Sequence, residues 1–176
     1  MKLTKLSIAT SVAALVLSSS AFAATPGYFA GVNLGYGDTH STGADHTTGL
    51  AYGLNGGYNF NNYFGVEGQA NRDANVTSTS PTVRTYDVDA LADGYYPINS
   101  KFDLVGKAGL AYVRQTANDD HENFYRPKAA VGVSYAVTEN VNTSVTYSRI
   151  FKQGDDTSSK YLPNVDVAAI SVDYLF

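Results

Sequence analysis

Apolar and polar residues alternate with a period of two along eight stretches of the chain, the pattern of strands that turn one face to an apolar medium and the other to a polar one. Residues 28–37 set Tyr28, Ala30, Val32, Leu34 and Tyr36 against Gly31, Asn33 and Gly35. Residues 50–60 set Leu50, Tyr52, Leu54, Tyr58 and Phe60 against Gly53, Asn55, Gly57 and Asn59, and residues 63–72 set Phe64, Val66 and Ala70 against Glu67, Gln69 and Asn71. In residues 83–96, Tyr86, Val88, Ala90, Ala92 and Tyr96 oppose Asp87, Asp89 and Asp93. Residues 102–114 carry Phe102, Leu104, Ala108, Leu110 and Tyr112 opposite Asp103, Lys107 and Gly109. The same period predicts strands over 125–137, with Arg126, Lys128 and Ser134 on the polar face, over 141–151, and over 165–176.

The connections alternate too. Residues 61–62, 97–101 and 138–140 make short turns, whereas 38–49, 73–82, 115–124 and 152–164 are long and polar. Aromatics of outward parity fall in two belts. Tyr28, Tyr58, Phe60, Phe64, Tyr96, Phe102, Tyr135, Tyr174 and Phe176 lie toward the short-turn end, and Tyr36, Tyr52, Tyr86, Tyr112, Tyr125 and Tyr147 toward the long-loop end. Two aromatic girdles a strand's length apart, with aliphatic residues between them, describe a barrel embedded in lipid. A soluble ligand-binding barrel holds its aromatics inside and would leave this apolar band facing water. The predicted fold is all-β: an eight-stranded antiparallel up-and-down transmembrane β-barrel.

A mean hydropathy of −0.17 does not weigh against this, because only alternate residues of a barrel strand meet lipid. Lys2 and Lys5, an apolar stretch over 6–17 and Ala21-Phe22-Ala23 have the layout of a secretory signal peptide, too short to span a bilayer. The chain therefore divides into a signal peptide over 1–23, cleaved after Ala23, and a single barrel domain over 24–176. Losing two lysines and no acids takes the formal charge from −4 to −6, which argues against nucleic acid as a partner and against a polybasic grip on a membrane surface. The absence of cysteine removes disulfides, thiolate metal sites and cysteine nucleophiles.

The terminal alternation of Ile170, Val172, Tyr174 and Phe176 resembles the assembly signal of bacterial outer-membrane barrels. Four stretches, Phe64-Gly65-Val66-Glu67, Gly94-Tyr95-Tyr96-Pro97-Ile98, Gly106-Lys107-Ala108-Gly109-Leu110 and residues 132–138, resemble the transmembrane domain of OmpA-like and opacity-type small outer-membrane proteins. The resemblance implies residence in the outer membrane of a Gram-negative bacterium, both termini periplasmic, and transient contact with the barrel-assembly machinery. It implies a monomer, no cofactor, and no periplasmic peptidoglycan-binding domain within this length. It also places Glu67 and Lys107 where the family has lumenal charges that pair across the barrel. Asp93 stands where the family pattern has a base, and Ser134 and Ser144 replace charged residues.

Glu67, Asp87, Asp89, Asp93, Asp103, Lys107, Arg126 and Lys128 all have inward parity. An eight-stranded barrel can be filled by its own side chains; Glu67 and Lys107 are read as a structural buried pair, and the reduced set of family charges leaves either a wetter, slightly conductive lumen or a differently hydrogen-bonded core. No catalytic site is predicted: His40, His46 and His121 lie in predicted loops beside Ser41, Asp45, Asp119, Asp120 and Glu122, neighbours that loop composition alone supplies. No discrete metal site is predicted either, since residues 119–122 lack the glycine and ligand periodicity of a calcium loop. Arg149 and Lys152, beside the outer girdle, can either meet lipopolysaccharide phosphates or snorkel. Two functions remain: a structural and surface-interaction barrel whose acidic loops contact host or envelope ligands and lipopolysaccharide, and a narrow pore for ions or very small solutes.

Overall fold

A computed structural model describes residues 24–40, 46–76, 83–117, 120–151 and 164–176. Eight strands follow in order: β1 (Gly27–His40), β2 (His46–Asn59), β3 (Phe64–Val76), β4 (Val83–Pro97), β5 (Phe102–Ala117), β6 (Asp120–Ala136), β7 (Val141–Ile150) and β8 (Asn164–Leu175). Each pairs antiparallel with the next, and β1 pairs with β8 to close the barrel. Closure leaves no sheet edge, so every strand can satisfy its backbone polar groups within the bilayer. The predicted up-and-down topology is the observed one.

Residues 60–63, 98–101 and 137–140 connect the strands at one end, and asparagine or threonine side chains organise all three. The Asn61 carboxamide oxygen accepts from the amides of Tyr63 and Phe64 at 2.8 and 2.9 Å, and that of Asn99 accepts from Lys101 and Phe102 at 2.9 and 3.0 Å. The Thr138 hydroxyl takes the Asn140 amide at 3.3 Å. Such local bonds let a chain reverse without stranding its amides.

The other end corrects the sequence reading. Strand pairing runs beyond the expected limits to His40↔His46 between β1 and β2, and to Ala117↔Asp120 between β5 and β6. Much of the connections predicted over 38–49 and 115–124 is therefore strand, and His40, His46 and His121 lie in ladders rather than loops. Backbone pairing needs no apolar face, so ladders can continue past the band of about 9–11 residues that lipid requires, into sequence whose polarity suggested loop. A register shift between Asp73 and Val76 marks an irregularity in β3 on this side. The predicted signal peptide, Ser41, Asp45, Asp119 and Lys152 lie outside the described residues.

The apolar belt is on the outer face: Leu34, Leu54, Leu110 and Ile170 are each more than half exposed. Girdle aromatics stack across the ladders, with Tyr28 against Tyr58 at 4.8 Å, Phe102 against Tyr135 at 4.7 Å and Tyr112 against Tyr125 at 5.0 Å between ring centroids. Tyr36, Tyr96 and Tyr147 also face outward. In β8 so do Ile170, Val172, Tyr174 and Phe176, the Phe176 amide bonding the Tyr28 carbonyl at 2.9 Å.

Candidate functional site: the barrel interior and its outer rim

Inward-facing residues of a barrel strand must fill the lumen or hydrate it, and here most of the large ones are charged. Glu67, Asp87, Asp89, Asp93, Asp103, Arg126 and Lys128 are buried, and the Lys107 side chain is only 10% exposed. Removing such groups from water is costly unless they are paired and hydrogen-bonded. Lys107 Nζ meets Glu67 Oε2 at 2.6 Å. Lys128 Nζ donates to Asp89 and stands 3.6 Å from Asp87 Oδ2.

Uncharged amides join these pairs. Gln69 donates to Glu67 and accepts from Lys128 Nζ at 3.3 Å, so the chain Lys107, Glu67, Gln69, Lys128, Asp89 crosses the bore without a break. Asn71 Nδ2 donates to Asp87 Oδ2 at 2.8 Å and to Asp89 Oδ2 at 3.2 Å. Asn55 Nδ2 donates to Asp173 Oδ1 at 2.6 Å. Asp173 is a lumenal acid absent from the inward charges read from the sequence, although its parity opposite Val172 and Tyr174 carried the signal.

Around the network the bore is nearly full. One cavity of about 20 Å³ lies against Glu67, Tyr95, Ser144 and Asp173, and another of about 50 Å³ against Gln69, Asn71, Asp87 and Lys128. Lys107 borders both, so its ion pair with Glu67 acts as the partition between them. A water needs roughly 10–15 Å³ of such space, which limits the smaller cavity to about one. Toward the long-connection end Ala111, Val113 and Ile150, packed by Val165, form a buried apolar cluster. At the short-turn end Phe29, Val105, Ala136 and Leu175 are buried, and the Ala24 amide donates to buried Asp103 Oδ2 at 2.9 Å.

Asp93 is different. It sits opposite Lys107 in the β4–β5 register, with the Tyr95 hydroxyl beside it, while the Lys107 ammonium itself pairs with Glu67. Its place where the family pattern has a base thus puts an extra acid beside the partition.

On the outer rim, Arg149 and Asp166 are register partners in β7 and β8. Arg149 Nε and Nη2 reach the two Asp166 oxygens at 2.6 and 2.8 Å. This bidentate pair neutralises the arginine that the sequence offered to lipopolysaccharide phosphates. It was hidden because β8 was read by its apolar run and Asp166 lies just ahead of it.

The sequence profile of the family described as outer membrane protein beta-barrel domain matches residues 9–176. Outer membrane protein A of Salmonella typhi is 26% identical over the whole chain, which spans 56% of that relative. A protein of Coxiella burnetii is 27% identical, covering 74% of this chain and 72% of its own. Among solved structures, Neisserial surface protein A superposes with a TM-score of 0.72 at 18% identity, covering 85% of this chain and 97% of that one. Ail, the attachment invasion locus protein of Yersinia pestis, superposes at 0.56 and 17% identity, covering 86% and 100%. At those identities the likeness is one of fold.

Proposed function

Because this chain belongs to the outer membrane protein beta-barrel domain family, we propose that it serves as a plugged barrel holding its long connections at the cell surface, where they contact host or envelope ligands. Both termini and the short turns then face the periplasm, and lipopolysaccharide surrounds the outer girdle. The observation that carries this reading is the unbroken lumenal chain from Lys107 through Glu67, Gln69 and Lys128 to Asp89. Charges paired across the bore, with the buried apolar cluster of Ala111, Val113 and Ile150 beyond them, support an occluded lumen. Function then falls to loops on a rigid scaffold. The chain works as a monomer, since a closed sheet needs no partner, and the Phe176 terminus engages the assembly machinery only during insertion.

A narrow cation pore is the second reading, favoured by one observation: Asp93 adds a buried carboxylate opposite Lys107, whose ammonium already pairs with Glu67, and so gives the lumen an acidic surplus. Planar-bilayer recordings of the refolded protein separate the two. A silent bilayer is expected. Discrete, cation-selective steps that grow in Lys107→Ala would replace the plugged barrel with the pore.

A further inference from the structure

Among the described side chains, Arg72, Arg114 and Arg149 lie on the outer face near the long-connection end, and they differ in what they face. Arg149 is neutralised by Asp166. Arg72 and Arg114 have no carboxylate within ion-pair distance among the described side chains. They belong instead to one row across four strands, because Tyr52 is the register partner of Arg72, Arg72 of Tyr86, and Tyr86 of Arg114. Arg72 Nη1 donates to the Tyr52 hydroxyl at 3.2 Å, and its guanidinium carbon stands 5.6 Å from the centroid of the Tyr86 ring. Tyr86 therefore separates two cations about 10 Å apart, two strand spacings. The tyrosines on either side hold the Arg72 fork at the girdle, leaving further N–H groups to donate elsewhere.

Directly toward the membrane centre from this row lies a furrow. Ala70 pairs with Leu54 on one side and Val88 on the other, and its methyl group leaves a trough between two larger side chains. Tyr52, Arg72 and Tyr86 form the head of the trough. An apolar channel on a lipid-facing surface, ending in the Arg72 guanidinium at the level of the aromatic girdle with Arg114 two strands away, matches an amphiphile with an acyl chain and a phosphate. Guanidinium groups suit phosphate oxygens through paired N–H donors.

We propose that Arg72, Tyr86 and Arg114, with the furrow over Ala70, form a binding site for one phosphorylated, acylated lipid of the surrounding leaflet. Its phosphate sits between the two arginines and one acyl chain lies against Leu54, Ala70 and Val88. Assigning that leaflet to the outer surface rests on the orientation proposed above; the site itself does not.

The test uses the full mature chain refolded in detergent and diphosphorylated hexa-acyl lipid A as the probe, with retained lipid read by native mass spectrometry. Arg72→Gln with Arg114→Gln is expected to lower retention roughly 30-fold, the factor two basic residues supply at an anionic lipid surface. Arg149→Gln should leave retention within about twofold, because that charge is already satisfied. Ala70→Leu should fill the furrow and weaken retention while both arginines remain. Retention by the double variant equal to that of the parent overturns the site. Displacement by millimolar inorganic phosphate as effective as by the lipid also overturns it, because the furrow then contributes nothing. Native-like electrophoretic mobility of each variant excludes misfolding. Labelling the long connections on intact cells tests orientation alone: retained lipid with unlabelled connections would sink the surface reading and leave the site.

Discussion

Replacing Lys107 by methionine removes the cation from the lumenal partition while keeping its bulk. Glu67, whose side chain is 2% exposed, then keeps only the Gln69 hydrogen bond. Asp93 loses the cation of its register partner. Stranding one member of a buried pair costs about 3–5 kcal/mol. Over a urea dependence of roughly 2 kcal/mol/M, a loss near 4 kcal/mol moves the unfolding midpoint down by about 2 M. Pairing Lys107→Met with Glu67→Gln should recover most of that loss, since exchanging a whole buried pair for uncharged groups of similar volume is close to neutral. The assay is urea unfolding in lipid vesicles, followed by circular dichroism and by the mobility of unheated samples on gels, because the chain has no tryptophan. A midpoint within about 0.5 M of the parent for Lys107→Met, a small fraction of the loss expected for a stranded charge, would refute the partition. So would a double variant no more stable than the single one.

Three further outcomes follow from the same geometry. If the chain is cut after Ala23, the Ala24 nitrogen 2.9 Å from Asp103 becomes an ammonium, so Asp103→Asn should lower the urea midpoint of protein beginning at Ala24 more than that of the full chain. Equal shifts would show that the new charge adds nothing. At the rim, Arg149→Ala should destabilise the barrel more than Asp166→Ala, because the first takes two charge-assisted hydrogen bonds from a buried carboxylate and the second takes them from a half-exposed guanidinium that water can solvate; thermal midpoints in the reverse order would contradict this. In β5, a Cβ on Gly109 would collide with the Ala90 carbonyl and crowd the Leu91 backbone at 2.9 Å. Gly109→Ala should therefore cost at least about 1 kcal/mol, whereas Gly106→Ala, with nothing within 4 Å of its Cβ, should be tolerated, as refolding yields and midpoints will report.

Period-two alternation was enough to establish the strand count, the connectivity and the face on which each residue lies. Every one of those is a local property: once Leu34 and Tyr36 face lipid, Asn33 and Gly35 must face the lumen. The chemistry of the lumen was legible for the same reason, down to Glu67, Lys107 and Lys128 as inward charges. Which charge meets which was not. Lys107 reaches Glu67 and Lys128 reaches Asp89 across separations of 40 and 39 residues, and those meetings depend on how closure staggers the strands around the bore. Closure also decides that Ala111, Val113 and Ile150 gather into a buried apolar cluster, and register that Asp166 lands opposite Arg149. Strand length at the long-connection end escaped the sequence because ladder hydrogen bonds join backbones, and Asp120 pairs with Ala117 whatever their side chains. The row of Tyr52, Arg72, Tyr86 and Arg114 likewise exists only across strands, since register sets as neighbours residues that the chain keeps 14 or more positions apart.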